Sequence, residues 1–171
     1  MTTAKILPNN LKIYTDGSCF GNPGPGGYAA IILDSENRII EKISGYELHT
    51  TNNRMEMLAI IRALQWIRVQ KKTLPLKINI YSDSSLIVQT MNLGWKKRAN
   101  LDLWQDLSLA ASGLALKFIW VRGHDGDKYN EQCDKIAQAE SLKAQKIIQK
   151  HPELLEDLTT SSSQNYQGTL F

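Results

Sequence analysis

Residues 11–33 read LKIYTDGSCF-GNPGPGG-YAAIIL, two apolar, β-prone runs on either side of a glycine and proline cluster. Such punctuation makes the runs neighbouring antiparallel strands joined by a wide hairpin loop. The loop has no Gly-Lys-Ser/Thr ending and no helix directly after it, so neither a Walker loop nor a dinucleotide fingerprint fits. Beyond it, the polar turn DSEN (34–37) leads into a third run, RIIEKISGY (38–46). At Thr51 the period changes to that of a helix reaching about Gln70, with Met55, Leu58, Ala59, Ile61, Ala63 and Trp66 on one apolar face. KINIYS (77–82) reads as a strand, and Asp83-Ser84-Ser85 as the start of a helix through Met91. LDLWQDLSLAA (101–111) is helical by period, ALKFIWV (115–121) is a strand, and Asn130 is placed to cap a last helix through the 140s. Three meandering strands followed by alternating helices and strands predict an α/β fold: a five-stranded mixed sheet, three antiparallel strands then two parallel, flanked by helices. Trp66, Trp104 and Trp120 fall in apolar patterns and are expected in the core.

The 171 residues are 42% apolar and 22% charged, enough for one ordinary core without disulfide or structural metal. The chain divides into a short N-terminal extension (1–10), a folded body (11–150) and a polar tail (151–171) that reads as flexible. All 20 Lys and Arg precede residue 151 and three of the 17 acids follow it, so the body carries 20 minus 14, or +6. That charge is compatible with a polyanionic partner. Cys19 and Cys133 are too few for a disulfide framework and fall in no zinc spacing with the three histidines. No apolar run approaches a membrane span, and MTTAKILPNN lacks the apolar stretch of a signal peptide, so a cytoplasmic monomer with reduced thiols is expected.

Four acids stand at element ends: Asp16 ending the first strand, Glu56 in the first turns of the long helix, Asp83 after the fourth strand and Asp134 in the first turn of the last helix. Each has a local explanation as a turn former, a cap or a complement to a helix dipole. Buried acids that converge, however, need a cation, and hard oxygens select Mg²⁺ or Mn²⁺. The wording around them, YTDGSCFGNPGPGG, TNNRMEM, YSDSS and WVRGHDGDKYNEQCD, decides between these readings.

Taken together, the four segments resemble the type 1 ribonuclease H family over roughly residues 10–142. The resemblance implies a ribonuclease H-like fold and an endonuclease that cuts the RNA strand of RNA/DNA hybrids, leaving 5′-phosphate and 3′-hydroxyl ends. It assigns two Mg²⁺ ions, replaceable by Mn²⁺, to Asp16, Glu56, Asp83 and Asp134, and a catalytic role to His124 in the Gly123-His124-Asp125-Gly126 loop. Carboxylates gathered this way repel without metal, so raised, coupled pKa values and metal-dependent stability are expected.

By the same resemblance Cys19, Asn22, Asn52 and Ser85 read ribose 2′-hydroxyls, while Thr51, Asn53 and Asn100 hold the DNA strand. Trp95, Lys96 and Lys97 add an aromatic and two cations for the backbone. The stretch between Asp83 and Leu103-Trp104 is about a dozen residues shorter than in the best-known bacterial members, so their basic protrusion shrinks to GWKKRAN. Competing readings are a non-catalytic hybrid-binding module, which would lack a carboxylate, or another nuclease or strand transferase on the same fold. The ending Gln167-Gly168-Thr169-Leu170-Phe171 is similar to the Q-x-x-L-F peptides with which replication and repair proteins dock on sliding clamps, so the tail reads either as a clamp-docking segment or as an ordinary disordered tail.

Overall fold

Alternating burial along the first two runs produces the sheet: β1 (Asn10–Cys19) and β2 (Gly24–Leu33) pair antiparallel, from Lys12 opposite Leu33 to Cys19 opposite Gly26. This computed structural model describes residues 7–70, 77–123, 125–156 and 158. β3 (Ile39–Thr50) extends the meander outside β2. β4 (Lys77–Ser82) and β5 (Ala115–Trp120) join parallel on the other side of β1, giving the order β3-β2-β1-β4-β5. The expected sheet, three antiparallel strands and then two parallel, is the one found.

Helices cover both faces. α1 (Asn52–Gln70), α2 (Ser85–Leu93) and α3 (Leu101–Ala111) enclose the larger core, in which Ile13, Ile80, Met55, Ile60, Leu64 and Leu107 are buried. α4 (Lys128–Lys150) closes the opposite face over Ala29, Ile31 and Leu33, using the stripe Cys133, Ala137 and Ala144. Burial of each large aliphatic chain contributes about 1.5–3 kcal/mol, which outweighs the weak propensity of any one element. The small residues set the layer spacing. A Cβ on Gly27 would stand 2.3 Å from the Ala137 carbonyl oxygen, so α4 lies directly on the β2 backbone.

Three local expectations need correction. Asn130 does not cap α4: Asp127 does, its Oδ1 accepting from the backbone N–H groups of Tyr129 (3.0 Å) and Asn130 (3.1 Å). Asn130 is itself buried inside the helix. The helix therefore starts at Lys128, and Asp134 lies in its second turn, not its first. Nor does Trp120 belong to the core, for it is 52% exposed at the end of the edge strand and donates through Nε1 to the Asp83 carbonyl oxygen (3.1 Å). Trp104 is buried and Trp66 partly so. Among the described residues, no helix is long and apolar enough to cross a membrane.

Candidate active site

The parallel pairing of β1 with β4 stops at Tyr14 and Tyr81, whose rings stack with centroids 4.5 Å apart. Asp16 and Asp83 follow two residues later on the two chains, just past this stacked pair. Asp16 does not end its strand, because β1 runs on to Cys19 along β2; what ends there is the contact with β4. Asp16 is only 7% exposed, and its Oδ1 accepts from the Gly17 N–H at 2.7 Å.

Gly17 brings the second acid close. A Cβ there would lie 2.5 Å from the Glu56 backbone nitrogen, so only glycine lets the start of α1 rest on β1. Glu56, 9% exposed, is held by two donors: Asn52 Nδ2 at 2.8 Å on Oε1, and the Ser84 hydroxyl. Gly123 lies against Asp83, where a Cβ would come within 2.7 Å of Oδ2, so the loop backbone passes close to that carboxylate. Asp134 completes the set from α4, one oxygen accepting from Gln138 Nε2 at 2.7 Å.

The electrostatics show convergence. Burial, and then the charges of Asp83, Asp134 and Glu56, push the Asp16 carboxyl up to about 8, against the opposing Gly17 hydrogen bond. Glu56 also shifts upward, chiefly through burial and then the charge of Asp83, with the Ser84 and Asn52 hydrogen bonds pulling the other way. These are the raised values expected for acids placed together. Among the described residues, no three His, Cys, Asp or Glu side chains close into a finished ligand cluster. The acids lie within electrostatic reach rather than in ligand contact, as uncompensated carboxylates should. An all-oxygen donor set with suppressed ionisation fits a hard divalent cation, whose charge removes the repulsion.

Around Glu56 the sequence-predicted polar residues form one patch. Asn22 Oδ1 accepts from the Asn52 N–H at 3.1 Å, so the glycine-rich loop itself helps cap α1. Thr51 caps too, its Oγ1 accepting from the Arg54 N–H (3.4 Å) and its carbonyl from Met55 N–H (3.1 Å). Cys19 Sγ lies 3.5 Å from the Gly24 carbonyl oxygen and 3.4 Å from that of Thr50, tying the loop to the end of β3. Ser85 is exposed at the start of α2.

Asn53, Lys96, Lys97 and Asn100 line a cavity of about 190 Å³ floored by Met57 and Trp104. Lys97 sits over the Trp104 ring, 5.2 Å from its centroid, and Trp95 is 51% exposed. His124, Gln167, Leu170 and Phe171 lie outside the described residues.

Sequence reading missed two residues. Ser84, next to the expected Ser85, is the serine that turns inward to Glu56. Arg54, inside the quoted TNNRMEM segment, grips Asp102 with two nitrogens at 2.7 and 3.1 Å. Its place between Asn53 and Glu56 was the available signal; its partner, 48 residues away, was not readable.

Comparison with known proteins identifies the family. The RNase H family model matches residues 8–142. Ribonuclease H of Chlorobaculum parvum is 39% identical over 146 residues, covering 77% of this chain and 95% of that protein. Ribonuclease H of Trichodesmium erythraeum is 44% identical over 147 residues, covering 78% and 89%. In structure, the chain is similar to LC11-RNase H1, solved in complex with an RNA/DNA hybrid, with a TM-score of 0.69 and 27% identity over 78% of this chain and 98% of that one. With its sheet order and these relatives in agreement, the chain belongs to the RNase H family and is an enzyme of that family.

Proposed function

We propose that the chain hydrolyses the RNA strand of RNA/DNA hybrids, with two divalent cations, magnesium first among them, held by Asp16, Glu56, Asp83 and Asp134. The observation that carries the reading is the proton affinity of Asp16, raised by burial and by three acids from three other parts of the chain. A structural carboxylate in such a place would be paired with a cationic side chain, whereas this one is surrounded by others of its own sign. Cations held by these carboxylates would supply Lewis-acid stabilisation of the anionic phosphodiester and would lower the cost of ionising water near neutral pH.

The protein's own residues do the rest. Gly17 and the Tyr14–Tyr81 stack fix the separation of the β1, α1 and β4 acids. Ser84 and Asn52 hold the Glu56 carboxyl in place by hydrogen bonds, which oppose part of the upward shift that burial imposes on it. His124, in the Gly123-His124-Asp125-Gly126 loop, gives a proton to the leaving 3′ oxygen, work suited to an imidazole, so that 5′-phosphate and 3′-hydroxyl ends result. Cys19, Asn22, Asn52 and Ser85 face the RNA strand and read its 2′-hydroxyls, the general handle that separates RNA from DNA. Thr51, Asn53, Asn100, Trp95, Lys96 and Lys97 take the DNA backbone. The hybrid bound by LC11-RNase H1 supports this choice of substrate.

Labelled RNA/DNA, RNA/RNA and DNA/DNA duplexes, incubated with and without Mg²⁺ and resolved on a gel, test the proposal. Cutting confined to the RNA of the hybrid, dependent on metal and lost in Asp16→Asn, is expected. Equal cutting of all three duplexes, or cutting by Asp16→Asn, would overturn it.

A further inference from the structure

The Arg54 guanidinium spans two helix starts. It holds both oxygens of Asp102 at the start of α3, and its Nη1 also donates to Asn100 Oδ1 at 3.4 Å. Arg54 side-chain exposure is 29%, against 60% for Asp102, so the fork lies under the surface carboxylate. Asn100 is the N-cap residue of α3, in the left-handed region at φ 53° and ψ 41°, with its carbonyl accepting from Trp104 N–H at 3.0 Å. Asparagine tolerates that backbone conformation better than most residues, and here it points its side chain at the cavity wall shared with Asn53 and Lys97.

A guanidinium has donors only. Whatever amide it touches must offer its oxygen, so Arg54 decides which end of the Asn100 side chain faces inward and which faces the cavity. The end left for the cavity is Nδ2, with two N–H donors, and Lys97 lines the same cavity. Two donors and a cation at one cavity mouth are complementary to a phosphate oxygen and would repel a cationic or purely donor ligand.

We propose that Arg54 is a positioning residue for substrate: through its grip on Asp102 and on Asn100 Oδ1 it fixes the Asn100 amide with its donors outward, setting the site for a backbone phosphate of the DNA strand. The inference rests on the hybrid reading above and adds a residue that touches no substrate itself. Arg54 acts on affinity, not on chemistry, because it holds a group that meets the non-scissile strand while Glu56, two residues on, is anchored separately by Asn52 and Ser84.

A mutant cycle tests it. Arg54→Lys keeps the charge but cannot grip Asp102 with two prongs and Asn100 with a third contact. In steady-state cleavage of a labelled hybrid with Mg²⁺, Arg54→Lys should raise KM about tenfold with kcat changed less than twofold, the scale of a hydrogen bond to a charged group. Asn100→Ala should do the same, and the double variant should be no worse than Asn100→Ala alone, since both act through one amide. Asp102→Asn, which weakens the fork from the other side, should raise KM in the same direction, and thermal melts of each variant record folding independently.

Multiplying effects in the double variant, or a KM for Arg54→Lys within twofold of the unaltered chain while that chain cuts the hybrid normally, would overturn the positioning role and leave the hybrid reading intact. An unaltered chain that cuts no hybrid would remove the hybrid reading and this inference with it.

Discussion

Asp16 holds its proton up to about 8 in the fold, against an ordinary 3.8, because it is buried among other acids. The folded state without cations therefore binds more protons than the unfolded chain between those two values, and linkage fixes the sign: this contribution to stability is full below pH 3.8 and is lost as pH rises through about 8. Metal-free protein should accordingly lose stability between pH 5 and pH 8 in urea titrations, and Mg²⁺ should restore it most at the upper end. Asp16→Asn, a neutral isostere, should stabilise the metal-free fold at pH 8 by about 1–3 kcal/mol, as expected when an uncompensated buried charge is removed. The same change should abolish most of the Mg²⁺-induced rise in melting temperature. A metal-free chain as stable at pH 8 as at pH 5 would show that the carboxylates do not repel as described.

Helices and strands carry the acids only as accurately as their contacts allow. At the β1/α1 crossing, Gly17→Ala drives a Cβ to 2.5 Å from a backbone nitrogen, where no flexible side chain can yield. The helix must shift, at a cost of about 1–3 kcal/mol by analogy with overpacked cores. Activity should fall further than stability, by about a hundredfold, because Glu56 moves with the helix; denaturant melts alongside hybrid cleavage separate the two effects. Asp127 is the corresponding control on α4. Asp127→Ala removes an N-cap and should cost about 1 kcal/mol, or roughly 2–4 °C of melting temperature in a chain of this size, whereas Asp127→Asn should lose little. Capping at 127 rather than 130 also sets where Asp134 falls along the helix.

Across the entire chain, the body's excess of six positive charges faces a substrate with two anionic backbones. Lys96, Lys97 and Arg98 occupy the short connection before α3, where a relative with the full basic protrusion would bring more cations to the duplex. The slope of log KM against log salt should then be shallower for this chain than for such a relative, since fewer counterions are released on binding. Kinetics at several ionic strengths on one hybrid measure it, and equal slopes would assign the main phosphate contacts elsewhere.

The chain's wording was enough for the five strands and their mixed order, because period and turn chemistry are local signals, and the motifs around Asp16, Glu56, Asp83 and Asp134 were legible for the same reason. Other features arise only when distant segments meet. The Arg54–Asp102 fork joins residues 48 apart, and the inward turn of Ser84 instead of Ser85 follows from the presence of Glu56 across the gap. Trp120 illustrates the same limit, since its strand pattern is apolar yet β5 lies at the sheet edge with no strand beyond it among the described residues. Whether an apolar residue is covered, and which of two adjacent hydroxyls finds a partner, depends on what the rest of the chain brings alongside, and pattern along one segment carries no record of that.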